Sequence, residues 1–130
     1  VQDWNMNSFF RFVPITVLCL LLAACYETLP PVSSAVVTHW QGGQPQGAAQ
    51  PLSPEHIASV SAWLQDHRWG WHPVTATYGP GILIVATHAD GTPSRMNLMQ
   101  NVLIVERHQR SLSKEESRAL HSMIGAKNDR

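Results

Sequence analysis

The chain has 130 residues, nine Lys plus Arg against nine Asp plus Glu, and a formal net charge of zero. That length allows one domain. The balance argues against a nucleic-acid groove or a basic membrane patch, both of which need clustered positive charge. All seven His follow Cys25, so mild acidification would make that part of the chain cationic, a bulk effect that identifies no sensor.

The first elements are those of a targeting segment. Met6 is a plausible initiator, which would leave residues 1–5 as an upstream extension. A short polar stretch with Arg11 leads into an apolar run over residues 12–24, with Pro14 near its start, and then Cys25. The run is too short to span, because crossing the hydrocarbon layer takes about 20 apolar residues.

It ends in Leu22-Ala23-Ala24-Cys25: an aliphatic residue, two small residues and a Cys. This resembles the lipobox of bacterial lipoproteins, in which a peptidase accepts the small residues and the thiol takes a diacylglyceryl group. An ordinary signal peptide followed by a coincidental Cys is the alternative. The resemblance implies cleavage before Cys25, Cys25 as lipidation site, and attachment by several acyl chains, which is effectively permanent. Tyr26 is not the Asp associated with inner-membrane retention in such proteins, so the implied address is the periplasmic face of the outer membrane. Cys19 would be discarded with the signal and Cys25 modified, leaving the folded part without a disulfide.

Residues 25–51 contain Pro30-Pro31, Ser33-Ser34, Gly42-Gly43 and a Gln/Gly/Ala/Pro stretch, which predicts a lipidated N-terminus on a flexible linker. Random-coil scaling gives such a linker a reach of about 28 Å. Ala35-Val36-Val37 and Trp40 are exceptions, able to add a strand or to pack on the domain.

The domain is expected over residues 52–125. Ser53, Pro54 and Glu55 form a helix start, followed by Ile57, Val60 and Leu64 at helical spacing and an end near His67 or Arg68. Strands are expected over residues 74–78, 82–88, 96–100 and 102–107, separated by the turn chemistry of Gly79-Pro80-Gly81 and Ala89-Asp90-Gly91-Thr92-Pro93. The continuous apolar run Ile82 to Val85 suggests a central strand. A second helix begins at Ser113 with the capping box Ser113/Glu116, carries Leu120, Met123 and Ile124, and meets Gly125 as its C-cap. Residues 126–130 read as a disordered tail. The class is α+β: a small two-layer sandwich of helix, three or four antiparallel strands and helix, after a signal peptide and tether.

The densest chemical feature is Trp63 with His67-Arg68-Trp69-Gly70-Trp71-His72. Trp63, Trp69, Trp71, His67 and His72 together form a candidate binding surface, whose indoles would stack on a peptidoglycan sugar or anchor a protein. The bland alternative is that the rings plug a small core that has no disulfides. His67 and His72, joined by His88 or His108, could ligate zinc, but the spacing matches no known site and offers no Cys or carboxylate partner, so no metal or cofactor is expected. His56 and His121 read as partly exposed helix residues.

Hydrolase signatures are absent, so no catalytic residue is assigned. Gly79-Pro80-Gly81 precedes a strand and is a turn, not a phosphate cradle. Glu115 and Glu116 are accounted for by a helix's first turn. Arg107-His108-Gln109-Arg110 reads as a solvated strand end. The expected function is a lipid-anchored, non-catalytic binding domain of the periplasm, of inhibitor or immunity type, recognising an envelope protein or peptidoglycan. A structural or assembly part of an envelope complex is the second class, and a small metal-dependent enzyme the third.

Overall fold

The computed structural model describes residues 28–125. The expected signal segment, Cys25 and the expected tail over residues 126–130 lie outside the described residues. Eight strands and two helices follow in the order β1 (Val32–Gln41), β2 (Gln44–Pro45), β3 (Gln50–Pro51), α1 (Pro54–Asp66), β4 (Trp71–Pro73), β5 (Ile82–His88), β6 (Pro93–Leu98), β7 (Val102–Val105), β8 (His108–Ser111) and α2 (Lys114–Ile124). The strands form one antiparallel sheet in the order β2-β1-β5-β6-β7-β8-β4, with β3 pairing to β1. The α+β class is therefore as expected, with twice the strand content.

Most of the difference comes from residues 32–51, expected as flexible linker. They enter the sheet: β1 pairs with β5 from Val32↔His88 to His39↔Ile82, and β2 and β3 fold back on β1's other edge. A register shift between Val32 and Ser34 explains why the strand is hard to read. The bulge lets Val32, Ala35 and Val37 all face inward, a spacing that plain alternation would split between two faces. Gly42 and Gly43, both with positive φ, then make the two-residue turn into β2.

Two other expectations change. Residues 74–78 do not form a strand; the sheet edge is the three-residue β4, and residues 74–81 run across the sheet's open face to β5. Asn97 fastens this crossing, accepting from Gly81 N–H at 2.9 Å and donating to Gly79 O at 3.0 Å, while Tyr78 Oη donates to Gln109 at 3.2 Å. The segment Arg107 to Arg110 is not a solvated end. The chain reverses at Glu106 and Arg107, with Glu106 at φ 52°, and β8 pairs with both β7 and β4.

Both helices cover one face. Val60, Trp63 and Leu64 of α1 and Leu120 and Ile124 of α2 close over Ile84, Ala86, Met96, Leu98, Leu103 and Val105. The other face keeps Val36 and its register partner Val85 exposed at 41% and 53%. The expected caps are present: Ser53 accepts from His56 N–H, and Ser113 and Glu116 satisfy each other's backbone N–H groups. Each such cap is worth about 1 kcal/mol. Gly125 closes α2 at φ 71°. Among the described residues no helix is long and apolar enough to cross a membrane.

Candidate functional site

The end of α1 and the start of β4 bring the Trp/His segment against β8 and the first turn of α2. The three indoles take different roles. Trp63 and Trp71 are 6% and 2% exposed and belong to the core; Trp69, between them in sequence, is 55% exposed. Trp71 is held by its own polar atom, Nε1 donating to His67 O at 2.8 Å, so its burial leaves no unmet donor. Gly70, at φ 86°, turns the backbone so that Trp69 points outward while Trp71 points in.

Arg110 organises this corner. Its Nε donates to Trp69 O at 3.0 Å, its Nη1 pairs with Glu116 Oε2, and its guanidinium lies 5.4 Å from the Trp63 ring centroid. His67 also packs on Trp63, stacked with ring centroids 3.9 Å apart and planes 10° from parallel. His67 Nδ1 faces Trp63 O at 2.7 Å, which requires a proton on Nδ1, and Nε2 lies 3.5 Å from Glu116 Oε2. Glu116 thus serves the capping box and Arg110 together. Partial burial raises its pKa, but the Ser113 N–H and Arg110 outweigh this and hold the carboxyl below the ordinary glutamate range.

The most exposed indole of the candidate surface is that of Trp69, whose backbone carbonyl is held by Arg110. Trp63 and Trp71 are removed from it by burial, and His67, stacked on Trp63, keeps its side chain 28% exposed. His72 is exposed on β4, the edge strand, paired in register with Gln109, and the structure does not bring it to His67. His108 lines a small cleft with Leu29, Trp71, Val105 and Glu106. Among the described residues no three His, Cys, Asp or Glu are placed to hold a metal ion.

His88 and Ser94 make a contact that the sequence did not announce. Ser94 Oγ lies 2.6 Å from His88 Nε2, and His88 Nδ1 faces Pro30 O at 2.7 Å. A nucleophile and base share this geometry, but both residues are about 2–3% exposed, leaving no approach for a substrate. The pair closes the hairpin β5–β6 and fastens Pro30. The only advance signal was a His and a Ser flanking the Asp90-Gly91 turn, which side-chain alternation along a hairpin brings onto one face.

No family model, no curated protein and no solved structure matches this chain.

Proposed function

We propose that this chain is the precursor of an envelope lipoprotein: Cys25 carries the acyl chains, and the domain is a non-catalytic binding module at the periplasmic face of the outer membrane. Its ligand is an envelope protein or peptidoglycan, and an inhibitor or immunity-type role fits its size. The address rests on Leu22-Ala23-Ala24-Cys25. The binding role rests on one observation, the large exposed indole of Trp69 on a backbone held in place. Its neighbours Trp63 and Trp71 are buried, its carbonyl is fixed by Arg110, and Arg110 is fixed by Glu116. A backbone already fixed at this position loses little further entropy when a partner covers the exposed ring.

The test is crosslinking in intact envelopes with the parent protein and Trp69→Ala. Loss of a specific crosslinked partner, with thermal unfolding unchanged, supports the reading. An unchanged partner set moves recognition off this corner. A partner that co-purifies in fixed stoichiometry from both proteins points instead to an assembly component docking through another surface.

A further inference from the structure

The chain joins the fold much earlier than its composition suggests, and this restricts how the domain can stand on a membrane. Leu29 O accepts from Gln65 Nε2 at 2.5 Å, and its side chain packs against the core. Pro30 O is held by His88 at 2.7 Å, Pro31 O accepts from Ala89 N–H at 2.7 Å, and Val32 N–H donates to Ser61 Oγ at 3.0 Å. Four consecutive residues are thus fastened to α1, β5 and the turn after β5. Only Tyr26, Glu27 and Thr28 separate Cys25 from this attachment.

Covalent geometry limits the Cys25 to Leu29 distance to about 14 Å at full extension. The headgroup layer of one leaflet takes up roughly 5–7 Å of that. A domain of about 100 residues has a radius of gyration near 13 Å, so a leash this short cannot let it turn over or stand clear.

We infer that one end of the sheet is the lipid-facing surface of this domain: the end formed by Leu29, the β5–β6 turn around Gly91 and the β7–β8 turn at Glu106 and Arg107. The inference rests on acylation of Cys25, as proposed above. The register places these parts together, since Val32 pairs with His88, Met96 with Val105, and Val105 with His108. The cleft shared by Leu29, Val105, Glu106 and His108 joins the attachment point to the second turn. The partner is the headgroup layer of a phospholipid bilayer, met by a surface of exposed turns without a basic cluster. Contact is imposed by the anchor and not by charge attraction. The opposite end, with the turn at Gln100 and Asn101, stands about 20 Å further out, the length of a seven-residue strand.

The experiment uses the full-length protein, expressed in a Gram-negative host, extracted from membranes and reconstituted into phosphatidylethanolamine/phosphatidylglycerol vesicles carrying a headgroup-linked quencher. A fluorophore is placed at Arg107→Cys or at Asn101→Cys, both exposed turn positions, and the intact mass of each sample is recorded. The label at position 107 should be quenched severalfold more than that at position 101. A flexible Gly/Ser insert of about 20 residues between Tyr26 and Glu27 should remove the difference, because its reach then exceeds the domain's radius. Equal quenching in an acylated sample overturns the orientation and leaves the anchor standing. A sample whose mass carries no acyl group overturns both. Matched thermal unfolding of the two labelled variants keeps the comparison about placement.

Discussion

Trp69 and Trp71 are two positions apart in a segment where composition gives them the same value, and the structure sends one outward and the other into the core. What separates them is the positive φ of Gly70 together with the acceptor that His67 O provides for Trp71. Neither is visible in residue types, so the crowding of indoles was legible while their division was not. Trp71→Ala should cost about 3–5 kcal/mol and leave a domain this small largely unfolded, whereas Trp69→Ala should change stability by no more than about 0.5 kcal/mol. Urea unfolding of the two variants checks this, and equal losses would contradict the assignment of Trp69 to the surface.

Glu116 is the other residue whose role was half visible. Its capping box with Ser113 was read from the S-x-x-E pattern, but its pairing with Arg110 depends on β8 and α2 lying side by side. Because its folded pKa is depressed, Glu116 contributes stability that is fully present above the ordinary glutamate pKa. That contribution is lost as pH falls through the lower, folded value. Glu116→Gln should therefore lower the melting temperature by a few degrees at neutral pH and progressively less in acid. A difference that stays constant down through the carboxylate range would show that the charge contributes nothing.

At the scale of elements, the two helices were legible because their signals are local: caps at Ser53 and Ser113, Pro54 at the first turn, Gly125 at the end. Strand β5 was legible for the same reason, as an unbroken apolar run from Ile82 to Val85 next to turn residues. Strand β1 was not. Its burial depends on pairing with β5 some fifty residues later, its inward residues are separated by a bulge, and its flanks are rich in Pro, Ser and Gly. Local propensity gave way there to a tertiary contact. The loop after β4 shows the converse: residues 74–78 have strand composition, but the chain must cross the sheet to reach β5, and Asn97 holds it in that crossing. Where the crossing ends, a Cβ on Gly81 would lie 2.6 Å from Leu98 O, a backbone atom of the adjacent strand. Gly81→Ala should thus force β5 and β6 apart locally and destabilise by about 1–3 kcal/mol, read as a lower urea midpoint. An unchanged midpoint would mean that this junction relaxes freely.

At the scale of the whole molecule, the described domain is a helix-covered sheet whose fastened chain begins at Leu29, four positions after Cys25 in the sequence. The described domain contains no cysteine, so burial and capping hold it together without a covalent staple. Its sheet ends are blunted. β4 is three residues long and stops at Pro73, and β2 and β3 cover parts of the exposed edge of β1. Among the described residues, that leaves the face bearing Val36 and Val85, and the corner bearing Trp69, as large apolar side chains open to solvent. If Cys25 is acylated as proposed, fixing the domain at a membrane would raise the effective concentration of such surfaces toward other components there.

The central claim is that acyl chains on Cys25 hold this domain at the membrane. The most direct measurement is the intact mass of the protein recovered from the membrane fraction of a Gram-negative host, beside Cys25→Ser. The account predicts a parent that begins at Cys25 and carries the mass of its acyl chains, and a variant that is neither trimmed at that bond nor acylated. A parent of unmodified mass, or a Cys25→Ser protein processed and retained like the parent, would contradict it.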